Sequence, residues 1–439
     1  MEIEKWYNKQ DSWAIIIGLF LVITIAIFWN IGNIGIYEIL RVKFQSWSGL
    51  NFNKSLPKDY GTHFIALYVF FSVWFCVVVY FLKQDIKLFL LGFSILFILS
   101  LFVGMISSNT ISKQYQLESP LIALIIGLIL SNFFRLPKWF EDSLLTEFYV
   151  KIGIVLMGAT LPITLLLNAG GVAIIQACII TIITFFSIFF IATKVFKLDP
   201  SFGATLGAGG SICGVSAAIV IGNACKAKKE HVSVVISIVV VWAVIMVFVL
   251  PLLCRYLGLD MGVAGAWIGT SEFADAAGMA AAQSLGDDRA TSAFTLIKVI
   301  GRDMFVGIWA VLVAFLSIAV WHKDSGVKVC KKDIWERFPK FILGFVIASL
   351  IITIFMSYIG EHNHKTFQKE GLGLIKELRN WVFTWTFLCI GLSTQFRKII
   401  QVGYKPFLAF SIGVAINLPL GFILSQYIFV DFWTNFLKN

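Results

Sequence analysis

Gly203-Ala204-Thr205-Leu206-Gly207-Ala208-Gly209-Gly210-Ser211-Ile212-Cys213-Gly214-Val215-Ser216-Ala217-Ala218 is the stretch on which the fold of this chain turns. Four glycines fall between positions 207 and 214, inside a charge-free window from Pro200 to Cys225. A glycine in a helix interior costs about 1 kcal/mol against alanine, so this density predicts an unwound stretch within a helical span. Unwound backbone at membrane depth must be paired inside the protein or line a wet cavity. Ser211 and Ser216 add hydroxyls. A helix restarting near Ser211 would aim its first amides at a ligand, which suits an anion. The alternative use of such residues is close packing between helices.

Two further stretches carry ionisable groups at membrane depth. Gly269-Thr270-Ser271-Glu272-Phe273-Ala274-Asp275-Ala276-Ala277-Gly278 sets two acids three residues apart. On a continuous helix they share one face. A carboxylate in the bilayer is costly unless paired, protonated or wetted, so Glu272 and Asp275 read as a proton- or sodium-coupling pair. Solvation in an aqueous vestibule is the alternative, and Asp287 and Asp288 read as loop residues. Thr295-Leu296-Ile297-Lys298-Val299-Ile300-Gly301-Arg302-Asp303 sets two cations four apart, again on one face. Lys298 and Arg302 can neutralise the acids or add positive charge to an anion site. Snorkelling to the membrane surface is their alternative, but Lys298 stands about 14–20 Å along a helix from the polar residues 285–289.

The rest of the chain places these stretches in lipid. Of its 439 residues 59% are apolar and 14% charged, against about 25% charged in soluble domains. Mean hydropathy is +0.87. A soluble enzyme, a disordered chain, collagen and a coiled coil are excluded. One polytopic all-α domain is expected, because lipid leaves a backbone no outside partners. Charge-free windows place spans at Ser12–Tyr37, Tyr60–Leu82, Leu88–Ser112, Ser119–Phe134, Ile152–Thr193, Pro200–Cys225, Val232–Cys254, Met261–Leu285, Ala290–Val320, Phe341–Gly360, Asn380–Phe396 and Pro406–Val430. The window from Ile152 is long enough for two helices with a turn at Asn168-Ala169-Gly170-Gly171, giving about thirteen segments. The first apolar run exceeds a signal peptide's and is read as a retained span.

The net charge of +10 is scattered, which fits positive-inside loops and not a nucleic-acid face. The basic loop from Trp321 to Lys340 is placed in the cytoplasm. The seven cysteines, Cys76, Cys178, Cys213, Cys225, Cys254, Cys330 and Cys389, form no CxxC pair, so neither a disulfide framework nor a metal site is expected. The histidines His63, His231, His322, His362 and His364 sit near predicted ends or loops, leaving no base at membrane depth for Ser211 or Cys213. No phosphate-binding GxxxxGK[ST] occurs. No enzyme activity and no bound cofactor is expected.

Two internal echoes suggest inverted repeats. Gly158-Ala-Thr-Leu-Pro-Ile-Thr leads to Asn168-Ala169-Gly170, and Gly391-Leu-Ser-Thr-Gln-Phe-Arg leads to Gln401-Val402-Gly403, each before an apolar run. Gly210-Ser211 with Ala217-Ala218 echoes Gly269-Thr270 with Ala276-Ala277. Paired interrupted segments in repeated halves point to the binding site of a secondary transporter.

At these segments the chain resembles the YeiH-type sulfate exporter family of bacterial inner-membrane proteins. The resemblance rests on Lys194-Val-Phe-Lys-Leu-Asp199 leading into Gly207–Gly214, on Ile268-Gly-Thr-Ser271 with its following acids, on Lys298 with Arg302, and on Gly391-Leu-Ser-Thr394 with Gly403-Tyr-Lys-Pro406. It extends over roughly residues 117 to 430, and Gly-Ser-Ile-Cys-Gly is its most specific piece. The resemblance implies an inverted-repeat fold like that of sodium/proton antiporters and bile-acid symporters, an inner-membrane location, and export of sulfate or related sulfur oxyanions. Glu272-Phe273 stands where such proteins show a His-Glu pair, and Asp275 where they show Gln, a departure that puts the family's coupling ion and substrate charge in doubt for this chain.

The expectation is an accessory membrane segment over 1–116 and a transporter bundle over 117–439, broken at about 200–225 and 262–285. A small anion is expected at Gly209, Gly210, Ser211, Ile212, Cys213, Gly214 and Ser216, with Thr270, Ser271 and Arg302. Glu272, Asp275 and Lys298 form the charge network for H+ or Na+. An ion channel on the same breaks is the second reading, and a hydrolase with Ser211 or Cys213 as nucleophile the third. The expected partners are the substrate anion, the lipid bilayer and, through the extra amino-terminal spans, a second copy in a homodimer.

Overall fold

The computed structural model describes residues 9–42, 44–48, 60–114, 119–160, 163–303, 340–394 and 403–437, with isolated positions between 306 and 313. The expected cytoplasmic loop up to position 339, most of the stretch toward Val320, the boundary at 116/117 and residues 395–402 of the second echo lie outside them. Among the described residues no strand forms, and one isolated bridge joins Trp47 to Asn109. The principal helices are α1 (Gln10–Asn30), α2 (Tyr60–Phe81), α3 (Ile86–Ser107), α4 (Ser119–Phe133), α5 (Thr146–Gly158), α6 (Ile163–Phe190), α7 (Pro200–Ser211), α8 (Val215–Ala224), α9 (Lys229–Tyr256), α10 (Met261–Ser271), α11 (Asp275–Gln283), α12 (Asp288–Thr295), α13 (Phe341–Ile359), α14 (Gly373–Ser393) and α15 (Tyr404–Ile423).

Seven of these, α1, α2, α3, α6, α9, α13 and α15, are long and apolar enough to cross a bilayer, so the chain is an all-α multi-pass membrane protein. The side-chain pattern agrees. On α2, Ile65, Val69, Val73, Val77 and Tyr80 are exposed at steps of three and four, while Leu67, Phe71, Phe75 and Val78 are buried. Water would not tolerate such an apolar stripe repeated on helix after helix, whereas acyl chains do.

The turn expected at Asn168–Gly171 is not there. Helix α5 closes through Ala159 and Thr160, and α6 runs from Ile163 through both glycines. Pro162 in the sequence is the physical reason: proline suits the start of a helix and disfavours helix in the residue before it. Glycine within a membrane helix is tolerated.

The chain divides into two units, residues 1–166 with 340–395 and residues 167–339 with 396–439. The first holds α1–α5, α13 and α14. Phe71, Phe75, Phe93, Phe148, Tyr149 and Trp385 form its aromatic centre, and the Trp385 indole donates to Ser100 Oγ at 3.1 Å. Helices α4 and α14 meet backbone to backbone at Gly127 and Gly391, where a methyl on Gly127 would lie 2.7 Å from the Leu388 carbonyl. Asp11 of α1 pairs with Lys151 of α5 at 2.9 Å.

The second unit holds α7–α12, α15 and most of α6. Asp199 caps α7 by accepting from the amides of Ser201 and Phe202, with Pro200 at the first helical position. Asp260 caps α10 in the same way through Gly262, and Asp287 caps α12 through Arg289. Such caps stabilise a helix by about 0.5–2 kcal/mol each. A buried chain from the Trp433 indole to Gln176 and on to Ser425 ties α6 to the segment after α15.

Candidate functional site at two crossing helix breaks

Both glycine- and acid-bearing stretches are interrupted helices. In the first, α7 ends at Ser211 and α8 begins at Val215, with Ile212-Cys213-Gly214 between them. Gly214 has φ +67° and ψ −114°, and a methyl there would stand 2.7 Å from the Phe273 carbonyl. Only glycine meets both demands without strain. In the second, α10 ends at Ser271 and α11 begins at Asp275, with Glu272-Phe273-Ala274 between them and extended at Glu272 and Ala274. The Gly214–Phe273 contact is where the two breaks cross.

A helix leaves its last four carbonyls unpartnered and carries about half a negative charge at that end. Two such ends are buried here, and two side chains satisfy them. Lys298 Nζ donates to the carbonyls of Ile212 at 2.7 Å, Glu272 at 3.0 Å and Phe273 at 3.0 Å. Arg302 Nε donates to Ser211 O at 3.0 Å, and its Nη1 to the carbonyls of Gly269, Thr270 and Glu272 at 2.9, 3.0 and 3.1 Å. Both side chains are 0–1% exposed. They lie on a π-helical turn, Leu296–Arg302, that continues α12, and their shared acceptor Glu272 O confirms that they reach one place. Lys298 also pairs with Asp275 Oδ1 at 3.7 Å. Thr181 Oγ1 adds a bond to Ser211 O, and Asn417 Nδ2 bonds Thr270 O and Thr184 Oγ1.

The amino ends of the two second halves differ. Glu272 Oε1 accepts from the amides of Phe273 at 2.9 Å and Ala274 at 3.3 Å, so a carboxylate already occupies the approach to α11. At α8 the cap residue is Gly214, and no side chain caps the first amides. Among the described residues, Ser211 Oγ, Ser271 Oγ, Glu272 Oε2, Arg302 Nη2 and Asn417 Oδ1 are buried without a hydrogen-bond partner. An unmet buried polar group costs about 1–3 kcal/mol. Five around one pair of breaks mark a place that a polar ligand or water completes.

Several expectations are refined by this geometry. Ser211 closes α7 and does not open the next helix, so the uncapped first amides belong to Val215 and Ser216. Gly209 and Gly210 lie within α7 and serve packing: methyls there would meet Val239 and Phe410 at 3.0 Å. Glu272 and Asp275 do not share a helical face, because the break separates them. Lys298 and Arg302 bind the Glu272 carbonyl and not its carboxylate. The Thr270 hydroxyl donates within its own helix to Trp267 O at 2.8 Å. Cys213 is 7% exposed at the break, and Ser216 is half-buried in the first turn of α8. Thr181, Thr184 and Asn417 were not among the expected site residues. Asn417 is an amide in a charge-free window, and that signal was available.

Comparison with known proteins places the chain among membrane proteins. The family described as conserved hypothetical protein 698 matches residues 91–410. A UPF0324 membrane protein of Rhodopirellula baltica is 35% identical over 345 residues, covering 78% of this chain and 63% of the relative. One from Nitratidesulfovibrio vulgaris is 31% identical over 384 residues, covering 86% and 65%, and one from Nitrosomonas europaea is 26% identical, covering 91% and 92%. The chain therefore spans just under two thirds of the length of the first two relatives. No solved structure matches it.

Proposed function

We propose that this chain, which belongs to the conserved hypothetical protein 698 family, is a secondary active transporter of a small oxyanion. The observation that carries the reading is the pair of crossing breaks with donors left open: the buried Arg302 Nη2 and Ser211 Oγ, and the uncapped first amides of α8. Amino ends of half-helices suit anionic substrates in such transporters. The sulfur oxyanions implied by the resemblance carry the negative charge that such donors attract.

Coupling follows from the surrounding charges. Lys298 and Arg302 face Glu272 and Asp275, with Asp303 next to Arg302 in the chain and also buried. An anion entering beside three carboxylates and two cations adds a negative charge that a proton offsets. Asp275 is the carboxylate with partial exposure, 15%, and so the proton's entry point. Lys298 remains on its three carbonyls while Asp275 changes charge, and the two access states differ in that charge. The first spans act as scaffold in this reading.

Proteoliposomes offered sulfate, sulfite, bicarbonate, small sulfonates and carboxylates, with and without a pH gradient, test it. Uptake of at least one oxyanion should follow the gradient, and Asp275→Asn should abolish the gradient's effect while the protein stays folded. Uptake of none, or gradient-driven uptake unchanged in Asp275→Asn, contradicts the reading.

A further inference from the structure

We infer that Lys298 and Arg302 are tethered cations filling the seat that a coupling sodium ion would take, so that this chain works without sodium. Carbonyl ends of half-helices and unwound backbone are where transporters coordinate sodium. Here that material converges at one crossing: the carbonyls of Ser211, Ile212, Gly269, Thr270, Glu272 and Phe273. All six accept from Lys298 or Arg302 at 2.7–3.1 Å. A lysine ammonium has three donors, and all three meet carbonyls here. Guanidinium is planar and permanently charged, and two of its three nitrogens are engaged.

The nearby carboxylates are already engaged in part. Glu272 Oε1 is turned to the amides of Phe273 and Ala274, and Asp275 faces the ammonium. A tethered cation has a different consequence from a bound one. It cannot leave, so it neutralises the helix ends in every state of the cycle. The inference rests on the transport reading for calling this a coupling seat, but the occupancy of the seat stands on geometry alone.

The test needs no transport. Thermal unfolding of the full chain in detergent is followed at constant ionic strength, with sodium chloride exchanged for choline chloride. The wild-type midpoint is expected to stay unchanged, and a saturable rise with sodium overturns the inference. Lys298→Ala should lower the midpoint, and ethylammonium should restore it saturably where tetramethylammonium does not. An unchanged midpoint in that variant, or a folded variant that no small ammonium rescues, also overturns it. Should Lys298→Ala fail to fold, Lys298→Gln is titrated in its place and judged the same way, beside the wild-type sodium arm. A chain that moved no anion would sink the transport reading and leave this one intact.

Discussion

The two breaks are built from the same parts and left in opposite states. Each is launched by an aspartate-capped half-helix, Asp199 for α7 and Asp260 for α10, and each ends in carbonyls held by Lys298 and Arg302. The second half-helices part company. The break before α11 carries its own anion, the Glu272 carboxylate, on its amides. The break before α8 carries no charge in Ile212-Cys213-Gly214, and glycine supplies no cap. One break is therefore filled by the protein and the other is open. The difference shows that one helix break can carry its own carboxylate on its amino end while the other lacks a side-chain cap, although Lys298 and Arg302 hold the carboxyl ends of both.

The comparison breaks most severely if the shared support is removed. Lys298→Ala takes one of the two supports from both breaks at once and removes the ammonium that Asp275 faces. Losing one partner of a buried charged group costs about 3–5 kcal/mol, read as a large fall in unfolding midpoint or in monodisperse yield. Gly214→Ala strains the open break first and presses on the other at their crossing. It forces a side chain into left-handed φ and against the Phe273 carbonyl, at about 1–3 kcal/mol. Ala274→Gly in the filled break, where φ −107° and ψ 135° suit any residue, should cost less than 1 kcal/mol. Equal effects would erase the asymmetry between the breaks. Asn417→Ala removes one support of the Thr270 carbonyl, a loss of about 1 kcal/mol by the same measurement.

The sequence made the breaks legible to within a few residues. Glycine density pointed to 207–214, and the break falls at its end because Gly209 and Gly210 are spent on packing against Val239 and Phe410. The acids of the second stretch marked its break, but a helical-face argument failed at Glu272 because it assumed the helix the break interrupts. Spacing put Lys298 and Arg302 together correctly. Their partners were beyond reach, since backbone carbonyls leave no trace in residue identity. The misplaced turn at Asn168–Gly171 has the same origin: a glycine pair was weighed above Pro162, although only proline withholds a helical hydrogen bond.

Ser216→Glu tests whether the amino end of α8 is vacant. The substitution sets a carboxylate in the first turn of α8, giving the open break the kind of charge that the filled one owns. Gradient-driven oxyanion uptake into proteoliposomes is compared for wild type and variant, with unfolding midpoints showing both folded. The account predicts that uptake falls at least tenfold in the variant while its midpoint holds. Uptake at the wild-type rate, with a carboxylate standing where the substrate is placed, contradicts it.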